Sequence, residues 1–129
     1  MDESKKVNLS DGEWKIMNLL WEEQPRTIMQ LAKRLKQDTG WGKNTVITML
    51  NRLEAKGAVC HEEGGRAKLF YPSVDRRNAA LEETRGFLER VYEGSVSMMV
   101  DAMADAKTLT RQEIDELYEI LKRAEGGDV

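Results

Sequence analysis

The chain has 129 residues, 40% of them hydrophobic and 33% charged, with a net charge of −3. That length fits one ordinary domain or two very small ones, and no apolar run approaches the ~18 residues needed to span a bilayer. Its single cysteine, Cys60, excludes an internal disulfide framework, and Cys60-His61 offers at most two ligands where structural zinc takes four, so no metal or other cofactor is expected.

The opening stretch MDESKKVNLSDGEW has no apolar core of the signal-peptide kind, and a cytoplasmic location is expected. Ser10 followed by Glu13 has the spacing of a capping box, in which each side chain reaches the other's backbone N–H. The helix it opens should run to about Glu23, with Trp14, Met17 and Trp21 on one side, and end before Gln24-Pro25. Thr27 followed by Gln30 repeats the box. Ile28, Leu31, Ala32 and Leu35 then fall at the spacing of an amphipathic helix, which Thr39-Gly40 breaks. A third helix is predicted from Gly42 or Lys43 to Gly57, with Val46, Leu50 and Leu53 as its buried stripe. Next, AVCHE and AKLFYP flank a Gly64-Gly65 turn and read as a β-hairpin. From Val74 onward the pattern is helical. One helix is predicted over about Asp75–Tyr92, burying Leu81, Leu88 and Val91. A second carries Val96, Met99, Val100 and Met103. A third follows Thr110 and Glu113 and carries Ile114, Leu117, Tyr118 and Leu121.

Three helices followed by a hairpin is the order of a winged helix-turn-helix, in which the third helix enters the DNA major groove and the wing touches the flanking backbone. The third helix suits that role. Asn44, Thr48 and Asn51 lie opposite its apolar stripe, with Thr45 and Arg52 beside them. Amides and hydroxyls both donate and accept, so they can read base edges. Lys43 adds a cation at the partially positive helix start, and Arg66 and Lys68 sit near the wing tip, where they suit phosphate. Charge is distributed to match. Residues 26–68 hold nine Lys or Arg against four Asp or Glu, while residues 73–129 hold eight against thirteen. The three tryptophans are expected to pack in the core, and His61 to be a strand residue with no chemical role.

A small trio of helices cannot bury its apolar faces well alone. A second copy of the chain would solve this. Leu88, Val96, Met99, Val100, Met103, Ile114, Leu117, Tyr118 and Leu121 are therefore the expected dimerisation residues. Such a homodimer would set two reading heads on a palindromic site.

The motif Trp41-x-x-x-Thr45-Val46-x-Thr48-x-Leu50-x-Arg52-Leu53-x-x-Lys56-Gly57 resembles the recognition-helix signature of the BlaI/MecI-type penicillinase repressors. Glu13-Trp14-x-x-Met17-x-x-x-Trp21 is similar to that family's first helix. Phe70-Tyr71, Phe87-Leu88 and Tyr92-x-Gly94 are similar to its wing and fourth helix. The resemblance spans about residues 8–123. It implies a homodimeric repressor that binds inverted-repeat operators in double-stranded DNA and blocks transcription. In β-lactam-responsive members it also implies a membrane sensor-protease as partner and a cut in the fifth helix at an Asn-Phe bond. Here Ala102-Met103 stands at that possible cleavage position, a departure that argues against release by that route. Copper-sensing relatives carry a Cys-x-Cys…Cys-x-Cys tail, whereas this chain ends RAEGGDV, so copper sensing is not expected.

The expectation is thus a mainly α protein with a small β-hairpin: a winged-helix DNA-binding domain over residues 1–73 and a three-helix dimerisation domain over 74–129. Two functional alternatives stay open. One is a winged-helix module that binds protein. The other is a repressor released by a small molecule instead of by proteolysis. An enzyme is not expected, because one histidine beside one cysteine, with no Gly-rich phosphate loop, assembles no catalytic set.

Overall fold

The computed structural model describes residues 7–127. Among them six helices and one hairpin follow in the predicted order. Helix α1, Asp11–Glu22, starts where its cap dictates. The Ser10 N–H donates to Glu13 Oε1 at 2.8 Å, and the Glu13 N–H donates to Ser10 Oγ at 3.2 Å. Helix α2, Ile28–Thr39, opens with the same reciprocal pair at Thr27 and Gln30. Helix α3 spans Lys43–Lys56 and ends on Gly57, whose φ of 83° is the left-handed stop that a side chain would strain. Strands β1, Val59–Gly64, and β2, Ala67–Pro72, pair antiparallel with His61 opposite Phe70 and Glu63 opposite Lys68. Their two-residue loop is Gly65-Arg66, and Gly65 takes the positive φ that such a loop requires.

The core lies between α1, α2, α3 and the hairpin. Ile16, Met17 and Leu20 from α1 meet Leu31 and Leu35 from α2 and Val46, Leu50 and Leu53 from α3, with Val59 and Phe70 closing the cluster. Each fully buried aliphatic side chain there contributes roughly 1.5–3 kcal/mol. The tryptophans pack around this core as expected. Trp14 and Trp21 lie 5.8 Å apart, the Trp21 indole N–H donates to the Val74 carbonyl at 3.0 Å, and Trp41 presses on the backbone of Gly12.

Two buried charges were not foreseen. Arg26 sits just before α2 and is 7% exposed. Its backbone exchanges hydrogen bonds with Phe70 at 3.2 and 2.9 Å, adding a single rung to the outer side of β2. Its guanidinium donates from Nε to the Leu19 carbonyl at 2.9 Å and faces Glu22 and Glu23. Glu13, 1% exposed, is the second; besides its capping role it receives the ammonium of Lys56.

The chain forms two compact units, one ending at Thr84 and the other beginning at Arg85, with helix α4, Arg76–Tyr92, running through both. The expected burial of Leu81 and Val91 is corrected here: they are 44% and 52% exposed, and only Leu88 of the three is covered. The spacing that made them an apolar stripe is real, but no described part of the chain covers Leu81 or Val91. Helices α5, Val96–Asp105, and α6, Arg111–Gly126, follow, the first capped by Ser95 and the second by a Thr110–Glu113 box. Neither holds a buried residue. No described helix is long and apolar enough to cross a membrane.

Candidate nucleic-acid interface

Helix α3 divides cleanly. Val46, Leu50 and Leu53 are at most 1% exposed, whereas Lys43, Asn44, Thr45, Thr48, Asn51 and Arg52 are all exposed. This division fixes which face looks outward, because rotating the helix would expose three core residues. The Thr48 hydroxyl donates to the Asn44 carbonyl at 3.0 Å, which orients it and leaves its lone pairs outward as acceptors. Among the described residues the side chains of Lys43, Asn44, Asn51 and Arg52 have no hydrogen-bond or ion-pair partner. A row of amides and cations with no partner among the described residues suits pairing with an external one. For Arg52 this matters, since a carboxylate of its own chain was a possible partner, and none among the described residues holds it.

The start of α3 offers more. Gly42, its N-cap, supplies no side-chain cap, so the first N–H groups of the helix stay open beside Lys43. A groove of about 450 Å³ borders this point, lined among others by Met29, Lys33, Lys36, Trp41 and Lys43. Reading the sequence one helix at a time missed Lys33 and Lys36. They lie on the exposed side of α2, and only the α2–α3 turn brings them beside Lys43.

On the wing, Arg66 occupies the loop and Lys68 faces Glu63 across the strands, and both are exposed. Glu62 and Glu63 are exposed as well, so the wing carries mixed charge. Lys56, in contrast, points away from this surface. It donates to the Asn8 carbonyl at 2.7 Å and pairs with Glu13, tying the end of α3 to the start of α1. Burial pushes the Glu13 carboxyl up, but the hydrogen bonds from Lys56 and Ser10 and the charge of Lys56 outweigh it. The carboxyl is held below its ordinary value of 4.5. Glu54 at the end of α3 meets His61 of the wing at 2.6 Å, so His61 is more than a strand residue.

The expected dimerisation residues fall into two sets. Leu88 is covered within the chain at 8% exposure, and Met99, Val100, Ile114 and Leu117 are half-buried. Val96, Met103, Tyr118 and Leu121 are exposed, from 38% to 63%. Phe87, Met98 and Ile120 are exposed too. Ala102 and Met103 lie on α5, both exposed.

Against this geometry, the family described as penicillinase repressor matches residues 9–123. The chain belongs to the penicillinase repressor family. It is 33% identical over 119 residues to the penicillinase repressor of Bacillus licheniformis, covering 92% of this chain and 93% of that protein. It is 23% identical over 121 residues to the methicillin resistance regulatory protein MecI of Mammaliicoccus sciuri, covering 94% and 98%. A solution structure of the Bacillus licheniformis BlaI monomer in complex with the blaP half-operator superposes on 57% of this chain and 90% of its own. Its TM-score is 0.51 at 31% identity. As a penicillinase repressor the chain is a winged-helix DNA-binding transcriptional regulator and not an enzyme.

Proposed function

We propose that the chain represses transcription in the cytoplasm by binding inverted-repeat operator DNA as a homodimer. Asn44, Thr48 and Asn51 read base edges in the major groove, with Thr45 and Arg52 flanking them. Lys43 at the helix start and Arg66 and Lys68 on the wing hold phosphates, and Lys33 and Lys36 extend the cationic surface along α2. The observation that carries this reading is the exposed polar face of α3, whose amides and cations have no partner among the described residues. The BlaI monomer solved with a half-operator is a relative of the same fold, which supports a groove-bound α3 here.

Homodimerisation is supported by the apolar side chains left exposed on α5 and α6. Val96, Met98, Tyr118, Ile120 and Leu121 are 47–63% exposed. Burying such surface against a second copy would remove it from water, and the paired subunits would present two recognition helices to one palindrome. Release by a sensor-protease cut at Ala102-Met103 is not part of this proposal, since that pair is not the Asn-Phe bond cut in β-lactam-responsive relatives.

The test is a titration of the full chain against a duplex selected from a random pool and against an unselected duplex, each at two salt concentrations. A repressor binds the selected duplex about 10³-fold or more tightly, with a steep salt dependence. Equal affinity for both duplexes would remove sequence-specific repression. No binding to either would leave the protein-binding module as the better reading.

A further inference from the structure

One polar link joins the recognition helix to the wing. His61 Nδ1 on β1 lies 2.6 Å from Glu54 Oε2 on α3, and among the described residues no other side-chain hydrogen bond runs from α3 to the hairpin. His61 is the chain's sole histidine. Its ring also contacts Phe70 of β2, with centroids 5.4 Å apart, and its Nε2 faces Glu63 at 3.9 Å. The groups around the imidazole are therefore Glu54 from the helix, Glu63 from its own strand and the Phe70 ring from the partner strand. Among the described residues no cation lies within ion-pair distance of it, Lys68 lying across from Glu63 and Arg26 beyond Phe70.

We infer that His61 is a positioning residue for DNA binding whose protonation clamps the wing to the recognition helix and strengthens operator affinity as pH falls. This rests on the DNA-binding reading above. Two effects act in the same direction. A neutral imidazole gives the Glu54 carboxylate a hydrogen bond from an uncharged donor, whereas an imidazolium adds the donor's charge and attracts Glu63 as well, which stiffens the wing's angle to α3. Protonation also adds one positive charge where Glu54, Glu62 and Glu63 would otherwise repel phosphate. Histidine is the side-chain type whose charge changes between about pH 5 and 8. Binding and protonation are linked reciprocally. If DNA favours the protonated form, protonation favours DNA by the same factor. The pH dependence then has few other sources, since carboxylates and lysines titrate outside this range.

The experiment measures affinity of the full chain for its selected duplex at fixed ionic strength from pH 5.5 to 7.5. The wild type is expected to bind about 3- to 10-fold more tightly at the low end. His61→Gln, which keeps a hydrogen-bonding side chain but cannot gain a proton, should bind with a flat profile. Glu54→Gln should reduce the slope. A His61→Gln profile as steep as the wild type's would overturn the inference. So would a Glu54→Gln profile as steep as the wild type's. Loss of DNA binding at every pH in the wild type would instead count against the proposed function. His61 and Glu54 are both partly exposed, and circular dichroism verifies that the variants remain folded.

Discussion

Asn51 and Lys43 illustrate two kinds of DNA contact that one helix can carry. An amide that pairs with a base edge distinguishes sequences, while a cation on a phosphate does not. Asn51→Ala is expected to cost roughly 1–3 kcal/mol on the selected duplex and little on random DNA. Lys43→Ala should weaken both alike and flatten the slope of log affinity against log salt by about one unit. Equal losses for Asn51→Ala on both duplexes would mean that its face does not read bases. Glu13 makes a different prediction, about stability. Its carboxyl is held below the ordinary value, so it binds its proton less readily folded than unfolded. That stability is present above the unfolded value and is lost as pH falls through the folded one. Lys56→Met removes the cation that holds it there. The variant should unfold at a higher pH on acid titration and lose about 1–2 kcal/mol near neutrality, a modest figure because the Lys56 side chain is 36% exposed. Circular dichroism during acid and urea titrations measures both.

Helix α3 owes its orientation to both of its ends. At its start, Gly42 leaves the N–H groups open toward the solvent. At its end, Gly57 reverses the chain at φ 83°, and the Ala58 N–H donates to the Leu53 carbonyl at 2.9 Å. That reversal sets where β1, and hence the wing, begins. Gly57→Ala should cost about 1 kcal/mol, because a Cβ is strained in the left-handed region. A lower urea midpoint with an unchanged urea slope is the expected result. The capping boxes of α1, α2 and α6 could be read directly from Ser10/Glu13, Thr27/Gln30 and Thr110/Glu113, since a cap is a contact between residues three apart. The rung between Arg26 and Phe70 could not, as its partners lie far apart in sequence and Arg26 has no strand pattern around it.

For the assembled protein, the exposed apolar side chains of α5 and α6 make association the decisive measurement. Sedimentation of the wild type should give a dimer at micromolar concentration. Met99→Lys or Leu117→Glu should shift it toward monomer, because a charge without a partner is costly at a packed interface. The same variants should keep half-site binding and lose the additional affinity of a full palindrome. A monomeric wild type would rule out the proposed homodimer. On co-expression with a β-lactam sensor-protease, the chain is expected to stay intact at Ala102-Met103. Fragments ending at Ala102 would show that the protease accepts this pair.

Local rules were enough to place every helix, the hairpin and the outward face of α3. Capping, glycine stops and a 3.6-residue apolar period act between near neighbours, and the apolar stripe of Val46, Leu50 and Leu53 leaves the polar residues only one direction to face. Local rules failed where a residue's surroundings come from distant chain. Leu81 and Val91 have the period of buried residues, yet burial requires a covering surface, and the described chain supplies none. Glu13 reads only as a helix cap, and its burial against Lys56, 43 residues further on, is not legible in that spacing. His61 reads as an inert strand residue and meets Glu54, because the hairpin folds back along α3. Lys33 and Lys36 join Lys43 only once the turn between α2 and α3 has set the angle of the two helices. Ion pairs and shared grooves of this kind depend on distance in space, which no period or spacing along the chain encodes.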